Sequence, residues 1–397
     1  MANTILTASQ ITRKAAMTLH QKSTLLNSIN RQYDSEFGRA GGKIGDTLRV
    51  RMPNQYTVRT GMTRSNQDVV EQKVDLPVST VRGVDMNFTS QDLTLHIDDF
   101  SERFIEPAMS VLAANIEAVV FQDIYKKVAN IVDGDAAAFA FTHVSQARQI
   151  LTENLAPTSN RTLLLSPSHT TKYMNDTKGL FHSTSQIETA YEDGTLGKIQ
   201  GFNVKESTHI SDHTTGTAAK TTGYLSNGAT QSGATITVDT GTTSFLIGDV
   251  ITFAGVFAVH PETKVSTGQL AKFVITANSG TSATSLAISP TIVATGALQN
   301  VSNTVADNSA VVKVGAGASE LLNSSLAFYR DAFTFVTADL PLPDGQDMAA
   351  RATVDNISLS MVRGFDITSR DFPVRIDCLF GWAALRPQLA VRIHADA

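Results

Sequence analysis

A long stretch of unusual composition interrupts this chain and constrains its fold more than any other feature. Residues 210–318 are rich in Thr, Ser, Gly and Ala, contain no arginine and carry only nine charged residues. Mixed helix and strand patterns end just before this stretch, at Gln186–Ser207, and resume at Leu326. A chain that leaves one domain and returns to it later carries an inserted domain.

The insertion itself has the pattern of a small antiparallel β-barrel. Short strand patterns separated by turn residues recur at 235–238, 249–253, 273–276, 285–288 and 310–314. They follow no fixed period, which excludes a repeat array. Tyr224 and four phenylalanines are its aromatic residues, and we interpret them as core. The alternative, a carbohydrate-binding or adhesion module, would need exposed aromatic side chains.

Three glycines punctuate the stretch that leads into the insertion. Gly194, Gly197 and Gly201 precede a short strand pattern at 202–205. Their spacing predicts positions of positive φ, or of close backbone approach, on the way into that strand.

The N-terminal part has two elements that are too small to be stable alone. Residues 1–43 predict a helix and a polar tail, either a frayed terminus or an arm on a neighbouring subunit. A two-residue apolar period at 48–52 and 74–80 then predicts a long hairpin. Isolated hairpins are marginal in water, so this one packs on its own core or against another copy.

Charged residues concentrate on this hairpin. Arg49 and Arg51 alternate along its first strand, and the tip between the strands carries Arg59, Arg64, Asp68 and Glu71. One interpretation is a solvated tip. The other, our hypothesis, is that these six residues form salt bridges to an adjacent subunit.

The strongest helical signal lies in the following segment. Apolar residues at three- and four-residue spacing from Ile105 to Val132 predict a helix of about 26 to 35 residues, with acidic residues at its start, 97–99. Pro107 either opens the main section of this helix or kinks it. We therefore name Pro107 as a candidate hinge.

Composition narrows the class of protein. The net charge of −5 argues against a dedicated nucleic-acid binder, which needs a basic excess. The single cysteine, Cys378, excludes an intramolecular disulfide and fits a reducing compartment. The N-terminus lacks a signal-peptide pattern, and no apolar run reaches eighteen residues, so we expect cytosolic assembly without membrane contact.

No catalytic, cofactor or metal site is predicted. The segment 38–47 resembles a phosphate loop but has Phe37 where the first glycine belongs. Ser166, Ser168 and His169 begin a helix without a nucleophile elbow, and His209, Asp212 and His213 lie in a polar loop. Cys378 is expected to be buried and inert, and His20 and His394 to lie at the surface. We therefore expect a structural protein, not an enzyme.

In this order the parts resemble a known family. The segments that carry the resemblance are DDFSERFIEPAMSVLAANIE at 98–117, GTLGKIQGFNVKES at 194–207, GDVITFAGVFAVHPETK at 248–264 and RIDCLFGWAALRPQLAVRI at 375–393. The chain is similar to major capsid proteins of tailed bacteriophages, and most to coat proteins of the Salmonella podovirus type. Their α+β architecture, the Johnson fold, is shared with encapsulin shells.

The resemblance implies a fold with an N-arm, extended loop, spine helix, axial domain and inserted antiparallel β-barrel. The implied boundaries are 1–43 for the N-terminal arm, 44–88 for the extended loop, 89–141 and 351–382 for the peripheral domain, 142–209, 319–350 and 383–397 for the axial domain, and 210–318 for the inserted barrel. Gly194, Gly197 and Gly201 would be structural glycines of the axial domain.

The resemblance also implies partners. Many copies, as hexamers and pentamers, would form an icosahedral head shell around double-stranded DNA, which they would contact only non-specifically. A separate scaffolding protein, a portal protein and a maturation expansion are implied, whereas decoration proteins stay open. The shell would be assembled in the host cytoplasm and become part of the virion. An encapsulin-like compartment that encloses protein cargo is the alternative within the fold.

Overall fold

A computed structural model gives the structure of the 397-residue chain. The residues that it describes are 8–34, 47–59, 61–64, 66, 71–89, 104–177, 197–210, 212–315, 317–343, 345, 348–367 and 371–396. The α-helices in these ranges are α1 (Ala8–Lys22), α2 (Glu106–Ile124), α3 (Phe141–Glu153) and α4 (Pro167–Thr177). None of them is long and apolar enough to cross a membrane.

Strands make up most of the regular structure. They are β1 (Asn30–Asp34), β2 (Thr47–Arg51), β3 (Lys73–Pro77), β4 (Thr80–Thr89), β5 (Ile131–Ala138), β6 (Arg161–Leu165), β7 (Lys198–Ile199), β8 (Phe202–Glu206), β9 (His213–Thr214), β10 (Thr221–Ser226), β11 (Gly233–Asp239), β12 (Val250–Val259), β13 (Ser266–Ile275), β14 (Ser285–Ile292), β15 (Ala310–Val314), β16 (Leu321–Tyr329), β17 (Phe333–Ala338), β18 (Met348–Val354), β19 (Ile357–Arg363), β20 (Asp371–Ala384) and β21 (Ala390–Asp396).

These elements form two compact units, and the α+β class expected from the sequence is confirmed. The first unit combines Met1–Arg51, Lys73–Val120 and Phe333–Leu385, and the second combines Met52–Gln72, Phe121–Ala332 and Arg386–Ala397. Each unit is built from three separate stretches of the chain, so many of its contacts join residues that are far apart in the sequence.

The first unit is built on a six-stranded sheet. Its order is β1-β17-β20-β19-β18, with β4 also paired to β20. β20 is fourteen residues long because it pairs with β17 near one end and with β19 near the other, while β4 follows ten of its residues. β19 and β20 pair in antiparallel orientation, with Met361 opposite Ile376.

The N-terminal segment 8–34 packs on its own chain, so it is not the frayed terminus that was one of the two alternatives, whereas contact with a neighbouring subunit stays a prediction. α1 lies against β18 and β19, where Ala15, Ala16 and Leu19 are fully buried. β1 then extends the sheet by pairing in parallel with β17. The apolar stripe of α1 is short, but the sheet supplies the core that the segment cannot build alone.

A carboxylate of α2 anchors this segment. Glu117 is only 1% exposed, and its Oε1 accepts hydrogen bonds from the backbone N–H groups of Leu25 at 2.7 Å and Leu26 at 3.2 Å. Its Oε2 accepts one from the Thr24 hydroxyl at 3.2 Å. A buried carboxylate is tolerated where several donors replace water, and here they come from the turn after α1.

The hairpin formed by β2 and β3 rests on the first unit at its base. The predicted hairpin is present, with Leu48 opposite Leu76 and Val50 opposite Val74. Leu76 is fully buried in a cluster with residues of β17 and β20. Of the two explanations for its stability, packing on its own core therefore holds for the base of the hairpin.

The long helix is shorter than the sequence pattern predicts. α2 has nineteen residues, ends at Ile124 and is followed by a single 3-10 turn, after which Val128 is extended. Ile131 and Val132, which we expected in the helix, begin β5 instead. Both are β-branched and buried, so their spacing matched the helical stripe while their shape suits a strand. The expected start at 97–99 lies outside the described residues.

The second unit contains a seven-stranded sheet in the order β5-β21-β16-β6-β8-β7, with β9 also paired to β16. Ser166 caps α4, as predicted, by accepting the backbone N–H of His169 at 3.4 Å.

Gly197 and Gly201 have positive φ, +60° and +84°. No atom lies within 4 Å of a Cβ added at either, so conformation and not close approach requires glycine there. Gly194 lies outside the described residues.

The inserted domain is a closed six-stranded barrel, as predicted. Its order is β10-β11-β14-β13-β12-β15, and the five strand patterns found in the sequence correspond to β11 through β15. Tyr224, Phe245, Phe253 and Phe273 are at most 1% exposed and belong to its core. The interpretation as core is therefore confirmed for these four, whereas the remaining phenylalanine, Phe257, is only half-buried.

Gly241 provides a test of the packing in the barrel. A Cβ at this position would overlap the ring of Tyr224, which is held by hydrogen bonds from its hydroxyl to Thr243 O at 2.6 Å and from Ala283 N–H at 2.9 Å. We expect Gly241→Ala to lower the free energy of unfolding by about 1–3 kcal/mol in urea titrations. Gly280→Ala is the matched control, because nothing lies within 4 Å of its Cβ. Equal urea midpoints for the two variants would contradict the packing.

Candidate functional site

The residues proposed for subunit contacts lie on the hairpin and its tip. Arg49 of β2 faces Asp75 of β3, with its Nε 3.8 Å from Oδ1, and both side chains are more than half exposed. Arg51 ends β2 opposite Lys73. Such an exposed cross-strand pair contributes little to the stability of the chain. Arg49 and Arg51 are both exposed, so they are accessible to another molecule.

The tip presents its charges to solvent. Arg59 Nη1 donates to the carbonyl groups of Gly61 and Thr63, and Arg64 Nε donates to Asn66 Oδ1 at 2.7 Å. Glu71 is exposed, and Asp68 lies outside the described residues. The two arginines thus order the turn on which they lie and keep their remaining donors exposed.

Sequence reasoning missed the apolar residues of the tip. Tyr56 is 61% exposed, Val58 94% and Met62 99%. Large exposed apolar side chains that lie close together in a loop are typical of an interaction surface. The signal was present in the sequence, as three large apolar residues within seven positions of a polar segment.

The candidate hinge, Pro107, lies in the first turn of α2, which begins at Glu106. Proline is well tolerated there, because the first N–H groups of a helix have no intrahelical acceptor. Phe104 and Ile105, directly before α2, are π-helical, so the choice between opening and kinking the helix stays a prediction. A change of the entry angle between two states of the protein stays a prediction.

A cluster of buried polar side chains lies in the second unit, and we call it the polar joint. Its members are Tyr125, His213, Asp249, Lys313, Arg392 and His394, which come from five separate parts of the sequence. They meet where the loop before β12 of the barrel reaches β9 and β21 of the seven-stranded sheet. Sequence reasoning missed this cluster, because its members become neighbours only in the fold.

The hydrogen bonds of the joint assign the tautomer of His213. Nε2 of His213 lies 3.1 Å from Asp249 Oδ1, and Nδ1 lies 3.0 Å from the Tyr125 hydroxyl. Burial raises the pKa of Tyr125 to about 12, so this hydroxyl keeps its proton. His213 is therefore satisfied as a neutral ring that donates from Nε2 and accepts at Nδ1.

Asp249 is the negative centre of the joint. Burial alone would raise its pKa, but hydrogen bonds from His213 and from the backbone N–H groups of Leu246 and Gly216, together with the charge of Lys313, hold the pKa below its ordinary value. Asp249 is therefore a carboxylate at neutral pH.

Arg392 and His394 correct a prediction, because His394 was expected at the surface. His394 is 2% exposed and Arg392 is fully buried. Arg392 Nη1 donates to Gly248 O at 2.8 Å, and its guanidinium carbon lies 5.9 Å from the centre of the Tyr125 ring. β21 is covered on both faces, so its polar positions are buried as well as its apolar ones.

The other candidate sites of the sequence have structural roles in the described residues. His169 bonds to Ser325 Oγ at 2.7 Å and to Ala395 O at 3.3 Å, so its ring does not activate Ser166. No group of three potential metal ligands is present in the described ranges. Cys378 is buried and free, and burial raises the pKa of its thiol to about 12, which agrees with the inert cysteine that we predicted.

A cavity of about 420 Å³ also lies in the second unit and includes Lys127, Lys264 and Lys272 in its lining. Each of these ammonium groups already has an acceptor: Lys127 bonds to Asp123 at 2.6 Å, and the other two donate to backbone carbonyl groups. The charge of Lys127 is thus balanced by a carboxylate, whereas the carbonyl groups bonded to Lys264 and Lys272 satisfy their N–H donors without a formal charge.

Comparisons with known proteins agree with the architecture. The family described as "P22 coat protein - gene protein 5" matches residues 38–393. No curated protein sequence matches the chain.

Similar solved structures cover nearly the whole chain at low identity. One from Mycobacterium phage Che8 is 12% identical, with a TM-score of 0.48, and covers 94% of this chain and 90% of its own. The capsid of Cyanophage P-SCSP1u is 11% identical, with a TM-score of 0.45, over 100% and 92%. A virus-like particle from Pyrococcus furiosus is 9% identical, with a TM-score of 0.42, over 97% of each chain.

The family match spans the hairpin, both sheets and the barrel, and so includes nearly all the described structure. The chain therefore belongs to the P22 coat protein family and is a major capsid protein of a tailed bacteriophage.

Proposed function

We propose that many copies of this chain, as hexamers and pentamers, assemble into an icosahedral shell that encloses double-stranded viral DNA. The observation that carries the proposal is the family match over residues 38–393, most of the chain. A shell also needs surfaces that reach other subunits. The hairpin tip, with Val58 and Met62 almost fully exposed, offers such a surface.

A separate scaffolding protein, a portal protein and a maturation expansion belong to this proposal. The proposal also includes the division of the chain into N-terminal arm, extended loop, peripheral domain, axial domain and inserted barrel, with the boundaries that the resemblance implies. The shell would be built in the host cytoplasm and become part of the virion. The net charge of −5 suits a container for DNA, because a basic inner wall would hold the genome tightly.

Co-expression tests this function directly. The chain is produced with the neighbouring genes of its genome, and the high-mass fraction is imaged by negative-stain electron microscopy. We expect closed polyhedral shells, or tubes and spirals of hexamers. DNA inside intact shells that resists nuclease would support genome enclosure, and protein cargo would indicate an encapsulin-like compartment. A chain that stays monomeric with every partner would contradict the proposal.

We further propose that the first turn of α2 changes direction between the procapsid and the expanded shell. Pro107 lacks a backbone N–H and its ring crowds the preceding turn, where Phe104 and Ile105 are π-helical and not α-helical. Pro107→Ala should leave the free energy of unfolding of the subunit within about 1 kcal/mol, because both residues are tolerated in the first turn of an α-helix. We expect it to slow or block expansion, measured as the shell radius by light scattering. Normal expansion of Pro107→Ala shells would count against the hinge.

A further inference from the structure

The barrel and the seven-stranded sheet of the second unit are connected by polar bonds. Arg392 of β21 donates to Gly248 O, in the loop that enters the barrel at β12, at 2.8 Å. Lys272 of β13 donates to Ile131 O of β5 at 2.7 Å. His213 of β9 bonds to Asp249 at 3.1 Å. Hydrogen bonds depend on distance and angle, so these bonds form in only one relative position of barrel and sheet. An apolar contact has no such directional requirement.

The polar joint is not fully satisfied. Within the described residues, Nε and Nη2 of Arg392 lack a hydrogen-bond partner, and the only hydrogen-bonding group beside the ring of His394 is the backbone of Gly315. Each buried polar group that is left without a partner costs about 1–3 kcal/mol. The hydrogen bonds of the joint therefore fix its geometry, but the unsatisfied groups reduce the net free energy that holds barrel and sheet together.

Among the described residues, the ring of His394 has positive and neutral neighbours, and no carboxylate forms a hydrogen bond or ion pair with it. Arg392, His213 and His169 are the groups that act on it, and the centres of the His213 and His394 rings are 6.1 Å apart. A proton on His394 would place a second buried positive charge near Arg392. A proton on Nδ1 of His213 would also oppose the proton of the Tyr125 hydroxyl, which now points towards it.

We propose that the polar joint is an acid-sensitive contact, which holds the barrel against the sheet at neutral pH and releases it in mild acid. It is a property of the single chain and does not depend on assembly. The titratable and charged groups that face it are Tyr125 and Lys126 after α2, His169 of α4, Asp212 and His213 at β9, Asp249 before β12, Lys313 of β15, and Arg392 and His394 of β21.

The direction of the pH effect follows from the histidines. Burial lowers the pKa of His213 and His394, and lowers that of His169 to about 4. Above pH 6.5 these rings are neutral in both the closed and the open state, so the joint keeps its full stability. As the pH falls from 6.5 towards the lowered values, the open state binds protons that the closed state does not. Each such histidine then shifts the equilibrium towards opening by up to about tenfold per pH unit.

Hydrogen exchange of the full-length subunit at pH 7.5 and pH 5.0 tests the proposal. Protection factors are compared, since they remove the intrinsic pH dependence of amide exchange. We expect β9, β21 and the loop at Gly248 to lose protection at least tenfold at pH 5.0. Strands β11 and β14, inside the barrel, should stay protected. Equal protection of the joint at both pH values, or simultaneous loss throughout the barrel, would overturn the proposal.

Substitutions of single histidines test whether His394 contributes to the acid response of the polar joint. His394→Leu should reduce the loss of protection at pH 5.0, because it removes one of the histidines whose protonation opens the contact. His394→Gln is the second variant, used if the leucine destabilises the fold. His209→Gln is the matched control: it removes a histidine near the barrel entrance but outside the joint, and should respond to acid like the natural chain. An unchanged acid response in folded His394 variants, or its loss in the control, would contradict the assignment.

Discussion

Glu117→Ala is expected to lower the free energy of unfolding by about 2–5 kcal/mol, the largest loss that we predict for a single substitution. The change removes the only group that accepts hydrogen bonds from both Leu25 N–H and Leu26 N–H in the described structure. Both donors would then be buried without a partner, each at a cost of about 1–3 kcal/mol.

The measurement is urea unfolding of the unassembled subunit, combined with limited proteolysis of the N-terminal segment. Glu117→Gln keeps one carbonyl acceptor, so we expect about half of the loss. Asp123→Ala is the matched control on the same helix, because it removes an exposed pair with Lys127 that contributes only about 0.3–0.5 kcal/mol. If Glu117→Ala unfolds at the same urea concentration as Asp123→Ala, the anchoring role is wrong.

The second large effect is expected on assembly and not on folding. Reversal of both charges in Arg59→Glu/Arg64→Glu should block shell formation while the subunit stays folded. Both side chains are exposed and bond only to their own loop in the described residues, so the chain loses little by the change. At a subunit contact, the loss of two exposed ion pairs costs about 1–2 kcal/mol, or a 5- to 30-fold weaker association that is repeated at every copy.

Sedimentation of assembled against unassembled protein measures this effect, and circular dichroism confirms the fold. A second variant, Val58→Ser/Met62→Ser, separates the apolar contribution of the tip from its charges. Lys172→Glu/Lys198→Glu is the control, since it makes the same change of net charge at exposed positions outside the tip. Normal shells from the arginine variant would refute our hypothesis for the charges. If only the serine variant fails, the contact is apolar.

Several features of the fold were readable from local patterns. The strands of the barrel alternate and are separated by turn residues, so their existence could be predicted from the sequence between 210 and 318. The Ser166 cap also depends on neighbouring residues alone, since Ser166 accepts the backbone N–H of His169. Local rules predict such elements well, because the groups that stabilise them lie within a few residues of each other.

Other features could not be predicted from local patterns, because residues far away in the sequence determine the conformation of these segments. Ile131 and Val132 continue an apolar helical stripe, but β21 supplies a parallel partner that draws them into β5. The N-terminal segment has too few apolar residues for a core, yet it is fixed by Glu117, more than ninety positions away in the chain. No pattern within the segment contains that carboxylate.

The sequence by itself therefore determined the order of the parts, the β-rich insertion, the mildly acidic charge and the family resemblance. All four depend on composition and on spacing along the chain. Only the tertiary structure decided where polar groups are buried. His394 read as a surface residue because it is polar and near the chain end, but β21 lies inside its sheet and carries His394 and Arg392 with it. Burial depends on which elements cover a strand, and that is a property of the whole fold.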